Sequence, residues 1–204
     1  MTEAPVRFRT GADDREYPPA PEPARADIID NHTHLEIADS ALPLSPVEHL
    51  ERAAAVGVTR IVQVGTDLAT SRWSAELAAR DPRVLAAVAL HPNETPELAE
   101  RGLLEEHLAG IDALASAARV RAIGETGLDF FRTEAPGQAA QRYAFERHIA
   151  IAKAHDLALQ IHDRDAHDAV LETLERVGAP ERTVFHCFSG DAALATLASE
   201  RGWY

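Results

Sequence analysis

The sequence predicts an α/β protein built on a parallel sheet covered by helices, either a barrel or a doubly wound sheet. Three observations carry this. Apolar runs bounded by turn residues recur at 26–30, 59–64, 84–90, 120–124, 158–162 and 182–186. Their spacing of roughly 30 residues is what results when about 250 residues are divided among eight strand-helix units. The segments between the runs have helical punctuation, and histidine or glutamate stands at the carboxyl ends of several runs, where a barrel places its active site.

Taken in order, residues 1–25 hold Pro5, Pro18, Pro19, Pro21 and Pro23 with scattered charges and no sustained apolar period, so they predict a flexible tail ahead of a domain spanning 26–204. Run 26–30 is the first strand. Ser45-Pro46-Val47-Glu48 combines an N-cap serine, proline at the first helical position and a capping-box glutamate, with Gly57 as the C-terminal stop. Thr95-Pro96 opens a second such helix over 96–118. Phe145, Ile149 and Ala152 make one apolar stripe in a helix over 138–155. Six strand-helix units can be counted, whereas a closed barrel needs about eight.

Composition narrows the function. The 204 residues are 46% hydrophobic, enough for one substantial core. No apolar stretch approaches the roughly 20 residues of a membrane-spanning helix, and the N-terminus lacks the order of a signal peptide, so a cytoplasmic protein without a membrane partner is expected. The net charge of -13 disfavours a broad basic surface tracking a long phosphate backbone, but a cleft holding divalent cations would be locally positive. The single Cys187 cannot form an internal disulfide, and strand alternation turns it away from His186 into the core.

The candidate chemistry lies at the run ends. His32 and His34 are two apart after Ile28-Ile29-Asp30, so in an extended strand both side chains face one side and can chelate one ion. Glu125 ends Ala122-Ile123-Gly124, and a carboxylate there could bridge two ions; the flanking glycines let backbone and ligand approach closely. His162 and His186 close two further runs as single-ligand candidates for a second ion. His91, before Pro92, either faces substrate or belongs to a turn. Arg164 either binds phosphate at the rim or pairs with a neighbouring carboxylate, and Asp129 either orients a ligand histidine or caps the next turn. His49, His107, His148, His155 and His167 fall in helical segments and predict surface or packing roles.

Four ordered segments resemble the TatD family of metal-dependent hydrolases: Asp30-Asn31-His32-Thr33-His34-Leu35, Ile123-Gly124-Glu125-Thr126-Gly127-Leu128-Asp129, Ile161-His162-Asp163-Arg164-Asp165-Ala166 and His186-Cys187-Phe188-Ser189-Gly190. Leu90-His91-Pro92 resembles the family's HP turn. The resemblance implies a TIM-like (β/α) barrel of the metal-dependent hydrolase type with two divalent ions that cleaves phosphodiester bonds, typically of DNA; the imidazole and carboxylate donors leave Zn, Mg or Mn as candidate ions. It implies that His32 and His34 hold one ion and His162 and His186 the other, with Glu125 as bridging and catalytic carboxylate. Family members continue through a seventh and an eighth strand and supply a further aspartate there. An incomplete barrel of low activity is therefore expected, with exposed sheet edges. Hydrolysis of an amide or lactone on the same barrel, and a catalytically silent fragment, are the alternatives. No obligate protein partner is implied.

Overall fold

The computed structural model describes residues 5–8, 16–38, 40 and 42–204. Strand β1 is Arg7–Phe8, β2 is Ile28–Thr33 and β3 is Ile37–Ala38, followed by helix α1 over Pro46–Ala55. Next come β4 (Val58–Val64), α2 (Leu68–Arg80), β5 (Val84–Val88), α3 (Thr95–Glu100) and α4 (Leu104–Ala115). The chain ends with β6 (Val120–Asp129), α5 (Ala135–Ala154), β7 (Ala158–Arg164), α6 (His167–Val177), β8 (Thr183–Phe185) and α7 (Ala192–Glu200).

Strands β2, β4, β5, β6, β7 and β8 form one parallel sheet in chain order, a curled half-barrel rather than a doubly wound sheet. Each of its strands lies beside the next along the chain, so every connection runs in the same sense and all six carboxyl ends meet at one rim. The six expected runs are these six strands. Strands β4 to β7 are largely buried because helices cover their outer face. There Ile61, Val84, Ala86, Val88, Ile123, Leu159 and Ile161 pack with Leu108 and Ile111 of α4 and with Phe145 and Ile149 of α5. Burial of one such large side chain contributes about 1.5–3 kcal/mol. Residues of opposite alternation, Val64, Ala87 and Ala122, form a smaller cluster of their own. The edge strand β2 is different: Ile28 and Ile29 are 45% and 50% exposed. At the other edge the backbone of Tyr204 hydrogen bonds with both Thr183 and Phe185 of β8.

Local chemistry explains most element ends. Ser45 accepts from the Glu48 amide and the Glu48 carboxylate accepts from the Ser45 amide, the complete capping box expected from sequence. The helix expected over 96–118 is two helices, α3 and α4, because the chain turns at Gly102 with φ +68 between them. Thr95 does not cap: its hydroxyl donates to the Pro92 carbonyl inside a short 3-10 turn, Pro92–Glu94. Cys187 is not core. Pairing with β7 ends at Phe185, the chain then enters a left-handed conformation at Cys187 with φ +46, and the thiol is exposed.

Of the tail expected over 1–25, residues 1–4 and 9–15 lie outside the described residues. The described parts make specific contacts. Strand β1 pairs in parallel with β3, Arg7 opposite Ile37, and Tyr17 meets the His49 ring edge-on. No helix among the described residues is long and apolar enough to cross a membrane.

Candidate metal centre

The rim of the half-barrel gathers the residues at the strand ends. A cavity of about 430 Å³ opens there, lined among others by His34, His91, Glu125, Asp129, His162 and His186, with Arg7, Arg132 and Arg164 on its walls. Glu125 is at its centre and only 5% exposed.

Strand β6 delivers Glu125 by running close against β7. A Cβ at Gly124 would lie 2.5 Å from the Gln160 Cβ, and one at Gly127, whose φ is +138, would collide with the His162 carbonyl oxygen. The two glycines therefore serve strand-to-strand approach, not the approach of a ligand as expected from sequence. The Gly124–Glu125 peptide bond is cis.

The two oxygens of Glu125 face different histidines. Oε2 lies 3.5 Å from His32 Nε2 and 3.8 Å from His34 Nε2. Oε1 lies 2.7 Å from His162 Nδ1 and 3.7 Å from His91 Nε2. His186 stacks on His32 with ring centroids 3.4 Å apart. Two groups of metal-competent donors result, His32-Glu125-His186 and His91-Glu125-His162. The resemblance paired His186 with His162; the structure brings His186 onto His32 instead, because the chain leaves β8 immediately after Phe185 and the His186 amide is held by the Ile161 carbonyl.

The donor chemistry fits cations. His34 donates from Nδ1 to the Val64 carbonyl at 3.1 Å, which leaves its Nε2 lone pair free. That Nε2 is 3.1 Å from His32 Nε2, a contact between two ring nitrogens that only a shared proton or a cation makes favourable. His32 Nδ1 is buried with no hydrogen-bond partner among the described residues, a cost of about 1–3 kcal/mol. Burial pushes the His91 and His186 imidazoles down to about 4, so both are neutral near pH 7. Burial alone would raise the Glu125 carboxyl, but hydrogen bonds with His162 and His32 outweigh it and hold the group ionised. Burial likewise depresses His162, yet Glu125 and Asp129 together raise it above its ordinary value.

Asp129 plays both parts considered for it. Its Oδ2 meets His162 Nε2 at 3.2 Å and accepts from Asn93 Nδ2 at 3.0 Å, while Oδ1 caps the next turn by accepting from the Arg132 amide. His91 is both at a turn and in the cavity. Its Nδ1 accepts from the Asn93 amide, so in the neutral ring Nε2 carries the proton and points toward Glu125. Among the described residues Arg164 pairs with no carboxylate; its guanidinium lies over the Phe131 ring, 3.9 Å from the centroid, on the cavity wall.

Three contributors escape sequence reading. Asn93 and Arg132 sit in turns whose positions depend on tertiary structure. His148 of α5 is fully buried. It accepts at Nε2 from the Leu90 amide and therefore donates from Nδ1 to the Thr126 hydroxyl, so it ties together the residues that precede His91 and follow Glu125. The i, i+3, i+4 stripe through Phe145, His148 and Ile149 was the available signal.

Comparison with known proteins places this arrangement. A profile described as TatD related DNase matches residues 29–204. The chain is 41% identical over 184 residues to a protein of Mycobacterium tuberculosis named uncharacterized metal-dependent hydrolase TatD, covering 86% of this chain and 66% of that one. It is 35% identical over 159 residues to the 3'-5' ssDNA/RNA exonuclease TatD of Citrobacter rodentium, covering 77% and 58%. Among solved structures it resembles YjjV, a TatD homologue of Escherichia coli K12, with TM-score 0.72 and 30% identity over 86% of this chain and 65% of that chain. The chain thus spans about two thirds or less of the length of these relatives. By its ordered motifs, its half-barrel and these matches, the chain belongs to the TatD family.

Proposed function

We propose that the chain is a divalent-metal-dependent hydrolase of phosphodiester bonds in nucleic acid, with His32, His34, Glu125, His162 and His186 as metal ligands. The observation that carries this reading is the buried Glu125 carboxylate, with one oxygen toward the His32–His34 pair and the other toward His162. A single carboxylate between two sets of imidazoles is the donor arrangement of a two-ion site, and an imidazole-rich set suits Zn or Mn. The relative named as an ssDNA/RNA exonuclease supports the substrate class. Relatives named only as metal-dependent hydrolases leave the substrate class open.

Bound ions supply an activated water and neutralise charge on the phosphoryl oxygens. The remaining work falls to side chains present here. Arg132 and Arg164 on the cavity wall bind phosphate oxygens, a role for which the fork of a guanidinium is suited. His91 presents Nε2–H as a donor to the oxygen on which charge develops. Asp129 holds His162 in one orientation. The acidic remainder of the chain disfavours long tracts of backbone contact, so short or single-stranded substrates fit better than extended duplex.

The test is hydrolysis by the purified chain of a phosphodiester reporter and a short single-stranded oligonucleotide, beside amide and lactone panels, with Mn²⁺ or Zn²⁺ and with chelator. Metal-dependent cleavage of the phosphodiesters alone is expected. Cleavage restricted to amides or lactones would refute the proposal.

A further inference from the structure

Residues 5–8 lie outside the matched segment 29–204, yet they lean on the loop that follows the histidine pair. The Arg7 amide donates to the Glu36 carbonyl at 2.8 Å, and Arg7 Nη2 is 2.6 Å from Glu36 Oε1. The Glu36 side chain is wholly buried. A carboxylate in that position is costly unless paired and hydrogen-bonded. Its second oxygen accepts from Gln63 Nε2 at 2.7 Å, and Gln63 in turn accepts at Oε1 from the Leu35 amide at 2.9 Å. Glu36 Oε1 lies 3.6 Å from His34 Nδ1, beside the Val64 carbonyl to which that nitrogen donates. A chain of contacts thus runs from Arg7 through Glu36 to the ring nitrogen that leaves His34 Nε2 free for a cation.

We infer that Arg7 is a positioning residue for the metal centre: from outside the matched segment 29–204 it pairs with Glu36, and Glu36 with Gln63 fixes the loop and ring orientation of His34. The inference rests on the metal-site reading above. Carboxylates behind a ligand histidine fix its tautomer and orientation, and their loss costs about 10–100-fold in metal affinity. Arg7 holds that carboxylate in place through the 2.6 Å ion pair. Without it the buried carboxylate keeps only the Gln63 amide and the more distant His34 ring, and swings toward solvent, taking residues 35–36 with it.

Zn²⁺ affinity of the full chain, measured in competition with a chromophoric chelator, tests this without reference to turnover. Arg7→Ala is expected to weaken Zn²⁺ binding about tenfold, and Arg7→Lys to recover most of it. Arg83→Ala, which removes a surface pair with Asp81, leaves it unchanged. In a Glu36→Gln background Arg7→Ala should then make less than about a twofold difference, because the group it acts through is already neutral. A loss under about fivefold for Arg7→Ala, or an equal loss in both backgrounds, overturns the inference. Should Arg7→Ala melt far below the parent without metal, Arg7→Lys against Arg7→Gln at matched stability carries the same comparison. Failure of the parent chain to bind Zn²⁺, Mn²⁺ or Mg²⁺ at all is a different result: it overturns the metal-site reading, and this inference with it.

Discussion

Two groups of buried imidazoles in this molecule obey opposite rules. At the joint of β5, β6 and α5, His148 is fully buried and both ring nitrogens are partnered, one by the Leu90 amide and one by the Thr126 hydroxyl. At the rim, His32 has an Nδ1 unpartnered among the described residues, a second ring nitrogen against its Nε2 and a third imidazole stacked on its face. The joint is arranged for stability of the chain by itself. The rim leaves several nitrogens unpaired or facing one another, the arrangement that the proposed metal site requires.

Predictions that remove the joint should cost the most in stability and leave the donor set chemically intact. His148→Ala deletes a packed ring and orphans the Leu90 amide, and should lower unfolding free energy by about 3–5 kcal/mol in urea titrations at pH 7. Acid attacks the same place. Burial, with the Arg147 charge, pushes His148 down to about 3 from an unfolded value near 6.5. Its neutral form therefore favours folding above pH 6.5, and that contribution is lost as pH falls from 6.5 toward 3, on the order of a few kcal/mol. His91 and His186, lowered to about 4, act in the same direction; His162, raised, opposes them. Comparing denaturation at pH 7 and 5 in the parent and in His148→Ala checks this, and an equally steep acid loss in the variant would contradict it.

Changes at the rim should do the reverse. Glu125→Gln keeps the shape of the side chain but removes the charge that faces four imidazoles, and should weaken Zn²⁺ binding by about 100-fold. In the parent, Zn²⁺ at about 100 times its dissociation constant should add about 2.7 kcal/mol to unfolding free energy, and the variant should lose that gain at the same concentration. The smallest effect belongs to a feature remote from both regions. Ser45→Ala removes the capping hydrogen bond of α1 and should cost about 1 kcal/mol with no change in metal affinity.

The sheet was legible because parallel strands buried on both sides leave continuous apolar runs, and helices leave caps. The capping box at Ser45 and Glu48 and the stripe on α5 were visible for that reason. Carboxyl-end histidines were legible because strand direction alone puts them at one rim. What escaped depends on which element lies next to which. Nothing in residues near Arg7 signals its pairing with Glu36, 29 positions away, and the burial of His148 depends on β5 and β6 meeting above it. Cys187 was misplaced because alternation was extended beyond the point where the strand stops pairing. The long helix over 96–118 was divided because the chain turns through a left-handed glycine at Gly102.

The exposure of β2 has a consequence for how the centre assembles in time. Edge strands fray first, and the residues that open most easily in native-state amide exchange are those with few buried apolar contacts. Ile28 and Ile29, about half exposed at the margin of the sheet, precede His32 and His34 directly. Each fraying event of this strand would displace two of the five proposed ligands, while β6 and β7 keep Glu125 and His162 in place. Within the described residues, edge opening and cation capture at the proposed ligands His32 and His34 would therefore draw on the same few residues.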